Sequence, residues 1–387
     1  MTTTRRKAVL IGAAHYRRGS YGRNHPLAIP RVSLTFDVIK AYGALSDEEF
    51  RVSRAATARE LARFHTREYI QALQRSEAFG HVRHEDRLRH AVGTLENPYF
   101  PGVFYTPALA TGGSIQGAEE VLAGRHAFSP AGGMHHAVPD QARGFCYFND
   151  VVLAILTLRE ADRRVLYLDL DAHHGDGVEA AFWNDPAVFT VSLHMDTAYA
   201  YPFRGGGLQD QGGPQAPGSS FNVPLPKGTG DADYLAILRH ILPAICGRFA
   251  PDVIVVQAGT DALHGDPLGR FRLSTTGFLT AIAEVIGVGL PVLVTGGGGY
   301  HPLLLARAWT GVWALLSGRT LPAALPDAAA QALRAVGWDA DEDEPYYDNL
   351  FRSRLDHPDT DHISDWLPAF MRQLDGHVVL GRTSWVS

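Results

Sequence analysis

A chain of 387 residues that is 45% hydrophobic and 20% charged, with a formal charge of −6, carries enough apolar material for a sizeable core. It has no basic block that argues for nucleic-acid binding, and no apolar run approaches membrane-spanning length. Its two cysteines, Cys146 and Cys246, lie far apart beside apolar residues, which argues against a disulfide scaffold and makes the reducing cytoplasm the natural compartment.

Residues 2–14, TTTRRKAVLIGAA, place Arg5 and Arg6 before an apolar run and so resemble a twin-arginine export signal. The run is short and leads into His15, Arg17 and Arg18, so it reads as a first strand at 8–11. Further apolar, β-branched runs follow at 165–170, 188–193, 253–257 and 292–294. Continuous runs of this kind suit strands buried on both faces of a parallel sheet. Helical spacing occupies 151–160, 234–249 and 276–288. The alternation predicts an α/β fold, a doubly wound and mainly parallel sheet with helices on both faces. Length alone is compatible with two or more domains, although α/β enzymes of this size often form one. After Gly318 the chain turns Ala-rich and helical, passes an acidic cluster at 341–344 and ends in an aromatic, charged tail. Residues 319–387 are therefore expected to be a helical extension packed on a catalytic body of residues 1–318. There are no internal repeats and no low-complexity linker.

Ligands in such folds bind beyond the carboxyl ends of the strands, and the unusual polar residues of this chain sit there. The segment 165–176, VLYLDLDAHHGD, runs from an apolar strand into Asp169, Asp171 and His173. In an extended strand residues two apart face one side, so Asp169, Asp171 and His173 are expected to present oxygen, oxygen and nitrogen along one edge. Buried carboxylates and an imidazole this close need a cation or hydrogen bonds to hold them. The segment 132–150 places His135 and His136 on a Gly-rich turn, with Asp169 and Asp176 available to set their tautomers and basicity. Asp261 follows an apolar strand in 255–271, VVQAGTDALHGDPLGRF; a helix N-cap is the bland reading and a third metal ligand the functional one. Two carboxylates and one histidine leave open coordination positions, which marks a catalytic site. Tyr300 follows four glycines in VTGGGGYHP. No Lys-Ser/Thr follows to suggest a phosphate loop, and a tyrosine hydroxyl there could donate to an oxyanion.

The segments HHA…GFCYFND, DLDAHHGDG, SLH, GTDALHGDP and GGGGYHP, in this order, resemble the zinc-dependent histone deacetylase family, which includes bacterial acetoin-utilisation proteins and acetylpolyamine amidohydrolases. The resemblance runs from about Lys7 to Leu316. It implies a single arginase–deacetylase-like domain that removes acetyl or other short acyl groups from lysine side chains or polyamines. Asp171, His173 and Asp261 match the zinc ligands, one ion per chain, with Fe2+ also accepted by this donor set. His135 and His136 match the tandem histidines backed by Asp169 and Asp176; His136 would be general base and then acid, with His135 in electrostatic support. Tyr300 matches the carbonyl-polarising tyrosine. Gly144 and Phe145 match the tunnel segment that grips the acyl-lysine stem, joined by Tyr201 and Leu268, and Arg31 matches an arginine beside the acetate-release channel. The main chain of Asp169, Asp171, His173 and Leu193, with Ser192, matches a structural potassium site. A homo-oligomer is left open.

Two places depart from the family pattern. Residues 195–207, MDTAYAYPFRGGG, carry Phe203 and Arg204 where many members have a tight Pro-Gly-Thr-Gly turn, so tunnel width and rim charge differ. Near LENPYFPG, Glu96 aligns loosely with an aspartate that pins the substrate backbone, and a glutamate there would also attract a polyamine's ammonium groups. Two other readings stand beside deacetylation: a binding module that holds acyl-lysine without turnover, and a two-manganese hydrolase of the arginase fold, which needs further bridging ligands.

Overall fold

The structure is a computed structural model that describes residues 6–19, 21–22, 24–338, 347–356, 362–376 and 380. Arg5 and the acidic cluster at 341–344 lie outside the described residues. Eight strands form one sheet: β1 (Ala8–Gly12), β2 (Phe50–Val52), β3 (His126–Ser129), β4 (Val165–Asp169), β5 (Val188–Met195), β6 (Ser220–Leu225), β7 (Val253–Gln257) and β8 (Val292–Thr295). Their order is β2-β1-β3-β8-β7-β4-β5-β6, and every neighbouring pair is parallel. The five apolar runs predicted as strands are strands. The three that pattern missed, β2, β3 and β6, are short or interrupted by polar residues and Pro224, and acquire strand geometry only by pairing.

Strand alternation divides the core. Leu166, Leu168, Ile254, Val256, Val292 and Val294 face one side, whereas Val165, Tyr167, Val253, Val255 and Leu293 face the other. The first face meets helices Arg31–Ala41, Asp231–Phe249, Thr275–Gly287 and Pro302–Ser317. The second meets Tyr105–Leu122, Asp150–Arg159 and Asp176–Phe182. Both faces of the sheet are thus covered, which is why its strands read as unbroken apolar runs. Beyond Gly318, Leu333, Leu350, Phe351, Leu367 and Leu374 are buried in the core of the first face. Fully buried Arg307 reaches out to this segment, donating to the Ser353 carbonyl and the Asp356 carboxylate at 2.6 Å each.

The order of the central strands prepares the site. β3, β8, β7 and β4 are neighbours in space although far apart in sequence. Their carboxyl ends therefore deliver four distant loops to one crevice.

Candidate active site

The metal-ligand candidates come from the loops after β4 and β7. β4 ends at Asp169, so Asp171 and His173 lie in the turn beyond it and strand alternation does not align them, contrary to the sequence expectation. Carboxylate-capped turns align them instead: the Asp171 N–H donates to Asp169 Oδ1 and the His173 N–H to Asp171 Oδ1. No helix begins at Asp261, which rules out the N-cap reading. Its Oδ1 accepts the Ala172 N–H at 3.0 Å, and this clamps the two loops together.

His173 Nδ1 stands 2.8 Å from Asp261 Oδ2 and 3.2 Å from Asp171 Oδ1. One donor atom from each of the three residues lies within 4.8 Å of the others. Both carboxylates are fully buried side by side; burial first, then the charge on Asp171, holds the Asp261 carboxyl well above its ordinary range. Around them the backbone is pared to glycine, since a Cβ at Gly298 would run into both carboxylates and one at Gly259 into Asp171. Two buried acids and an imidazole converging in a glycine-walled cradle fit a divalent cation, which would screen the two like charges.

Beside this cradle the two histidines form a chain. His135 Nδ1 donates to Asp169 Oδ2 and His136 Nδ1 to Asp176 Oδ1, each at 2.8 Å, while their Nε2 atoms are 2.9 Å apart. Burial alone would lower both. For His135 the charges of Asp169 and Asp171 outweigh it and hold the imidazole up at about 9. For His136 burial is joined by the charge on His135, and it is held down at about 4. These shifts favour the proton on His135 and the neutral form of His136, whose Nε2 lone pair faces the His135 Nε2–H.

Tyr300 leaves the Gly-rich turn after β8. Its N–H donates to Asp266 Oδ2 at 2.7 Å, and its hydroxyl has no hydrogen-bond partner among the described residues. Arg31 is buried beneath that turn, with Nη1 donating to the carbonyls of Gly297 and Gly299. Arg31 also lines a cavity of about 120 Å³ with Tyr21 and Met134.

A larger cleft of about 640 Å³ opens above, lined by His136, His173 and Tyr300 at depth and by Glu96, Gly144, Phe145, Tyr201 and Leu268. The His136 and Tyr201 rings pack edge to face at 4.7 Å. Phe145 is held in the left-handed region (φ 67°), with its carbonyl accepting the Tyr21 hydroxyl at 2.8 Å. Glu96 is half-buried, and its Oε1 accepts the Gly144 N–H at 2.6 Å. Phe203 reaches the cleft; Arg204 is exposed and does not line it.

The residues expected to hold potassium are also adjacent. Asp169 pairs with Ser192 across β4 and β5, and the Ser192 hydroxyl lies 2.8 Å from His194 Nδ1.

Sequence reasoning missed several supports. Gln257 Nε2 donates to Asp171 Oδ2 at 2.6 Å and the Tyr167 hydroxyl to Asp169 Oδ2 at 2.6 Å. Asp266 organises the Tyr300 turn by also accepting the Leu268 and Gly269 N–H groups. A signal existed for Gln257, the one polar residue closing an otherwise apolar strand, and for Tyr167, two residues before Asp169 on the same strand face. None existed for Asp266.

A profile described as a histone deacetylase domain matches residues 25–316. The chain belongs to the histone deacetylase family. It is 39% identical over 299 residues to histone deacetylase 8 of Xenopus tropicalis, spanning 77% of this chain and 80% of that one. It is 37% identical to histone deacetylase RPD3 of Saccharomyces cerevisiae over 79% of this chain and 71% of the relative. Among solved structures it matches a crystal structure of an HDAC homolog from Aquifex aeolicus with a TM-score of 0.90 and 40% identity, covering 95% of this chain and 99% of the other. A crystal structure of an HDAC homolog complexed with SAHA superposes with a TM-score of 0.91, again at 40% identity and the same coverage. Membership accounts for the α/β architecture and makes the protein a deacetylase of the hydrolase class. No helix among the described residues is long and apolar enough to cross a membrane.

Proposed function

We propose that the protein is a metal-dependent deacetylase that removes acetyl, or another short acyl group, from lysine side chains. The observation that carries this reading is the meeting of Asp171, His173 and Asp261 with the His135–His136 pair at the foot of one cleft. Asp171, His173 and Asp261 would hold the ion, with zinc the best match to the donors and ferrous iron the next. A divalent ion held there supplies Lewis acidity towards a carbonyl and towards water. His136, neutral and oriented by Asp176, takes the proton of the attacking water and returns it to the departing lysine nitrogen. His135, kept cationic by Asp169, stabilises negative charge as it develops beside it. The Tyr300 hydroxyl donates to the carbonyl oxygen as it becomes an oxyanion. Phe145 and Tyr201 flank the methylene stem, with Leu268 at the mouth and Glu96 bracing Gly144. Arg31 borders the small cavity beneath, which suits it to pass acetate. The Asp169 to Ser192 pairing supports a structural potassium ion held with the main chain of Asp171, His173 and Leu193. Residues 319–387 we take as an extension of the same domain.

The test is acetate release from an acetyl-lysine peptide by zinc-loaded protein. His136→Ala is expected to lower turnover about a hundred- to ten-thousandfold, and Tyr300→Phe about a hundred- to a thousandfold. Undiminished turnover in both variants would remove this mechanism.

A further inference from the structure

The cleft is larger than one unbranched arm requires. At about 640 Å³ it falls in the range of pockets that enclose whole small molecules. Besides the residues that flank the stem, it is lined by Met195 at the end of β5, by Tyr199 and Ala200 from the loop that follows, by Lys227 from the loop after β6, and by Arg270 from the loop after β7. The last two loops are tied together, the Gly228 N–H donating to the Arg270 carbonyl at 2.8 Å, so the two cations belong to one patch.

Both are exposed at their tips and held in place. The Lys227 ammonium sits 4.4 Å from the centre of the Tyr199 ring, whose hydroxyl is anchored on the Leu225 carbonyl. The Arg270 guanidinium folds back onto the carbonyls of Pro267 and Gly269. Neither makes an ion pair with a carboxylate among the described residues; the nearby Asp196 accepts the Ala198 N–H instead. In a chain of net charge −6, the cleft lining carries two pre-positioned cations against one carboxylate, Glu96, which is engaged by the Gly144 N–H. This surplus beside a site whose floor handles a neutral amide calls for an anionic group on the substrate.

We propose that Lys227 and Arg270 are specificity-determining residues, which select acyl-lysine substrates bearing a carboxylate on the carrier side of the scissile amide and disfavour polycationic carriers. This rests on the deacetylase reading above. The carboxylate can come from an acidic residue flanking the acetyl-lysine in a peptide, or from the α-carboxylate of free Nε-acetyl-lysine.

The experiment compares kcat/KM of the zinc-loaded protein on acetyl-lysine peptides flanked by Glu, by Ala or by Lys, and on free Nε-acetyl-lysine against its C-terminal amide. The Glu-flanked peptide is expected to exceed the Lys-flanked one by about three- to tenfold at low salt, shrinking as salt screens the pair. Lys227→Glu/Arg270→Glu reverses that order while turnover of the Ala-flanked peptide stays within about twofold of the parent protein, which also reports that the variant is folded. A preference confined to free acetyl-lysine over its amide assigns the carboxylate to a free amino acid and supports the proposal equally. Equal kcat/KM across all charged flanks and for the acid and its amide, with the Ala-flanked peptide still turned over, overturns the charge selection and leaves the deacetylase reading intact. Absence of turnover on every substrate overturns both.

Discussion

Although adjacent in the chain, His135 and His136 turn their Nε2 atoms towards each other at 2.9 Å, and each imidazole has its own aspartate behind it. The pair is electrically unequal. Asp169 accepts from both His135 and the Tyr167 hydroxyl at the end of a central strand, whereas Asp176 stands at the start of a helix. Environments that push two like groups apart divide roles between them.

Asp176→Asn tests that division. The amide can no longer fix the His136 tautomer with Nδ1–H outwards, so the Nε2 lone pair is present only part of the time. The expected outcome is a fall in kcat of about ten- to a hundredfold with KM little changed. Steady-state kinetics on an acetyl-lysine peptide decide it, and a change confined to KM would contradict the tautomer role.

Asp261→Asn separates metal binding from folding. Its carboxylate is buried beside that of Asp171, and both converge with His173 on one point. Loss of one anionic ligand is expected to drop bound zinc from about one per chain to a small fraction after dialysis, as read by elemental analysis. Removing one of two buried like charges should leave the chelated variant at least as stable as the chelated parent protein. A variant that retains a full complement of zinc would show that Asp261 is not a ligand.

Gly144→Ala probes how closely the cleft wall approaches the base. Gly144 has φ 52°, and a Cβ there would overlap the His136 ring and crowd Tyr201. Displacing His136 by a fraction of an ångström to an ångström is expected to lower kcat by about a hundredfold, with a fall in melting temperature from the positive φ and the overlap. Wild-type turnover in this variant would mean that the loop yields and the ring does not.

His65 gives the fold a pH dependence of its own, away from the cleft. Its ring lies between the Val138 carbonyl at Nδ1 (3.1 Å) and the Asn149 N–H, which donates to Nε2 at 3.0 Å, so only the neutral imidazole satisfies both. Burial holds it down at about 4. Between that value and the ordinary 6.5 the unfolded chain carries a proton that the folded chain refuses, so stability falls as pH drops through this window and is unaffected above it. Relative to His65→Leu, chelated wild-type protein should lose about 3 kcal/mol between about pH 7 and pH 4. Denaturant midpoints across the range measure it, and parallel curves would refute the assignment.

The apolar runs at 165–170 and 253–257, the tandem histidines and the run of glycines leading into Tyr300 were legible because buried parallel strands and close-packed turns demand those residue types locally. The same patterning determined, without any coordinates, that this is an α/β chain with its polar chemistry at the strand ends. What pattern could not decide was adjacency. Only the β3-β8-β7-β4 order brings Asp171, Asp261, His136 and Tyr300 to one crevice. Asp171 and His173 are aimed by turn hydrogen bonds rather than by strand alternation, and Gln257, Asp266, Lys227 and Arg270 acquire their places through contacts made at long range. Local composition sets which conformations a segment favours, whereas the meeting of distant loops depends on which strands pair and on what the shared core beneath them buries.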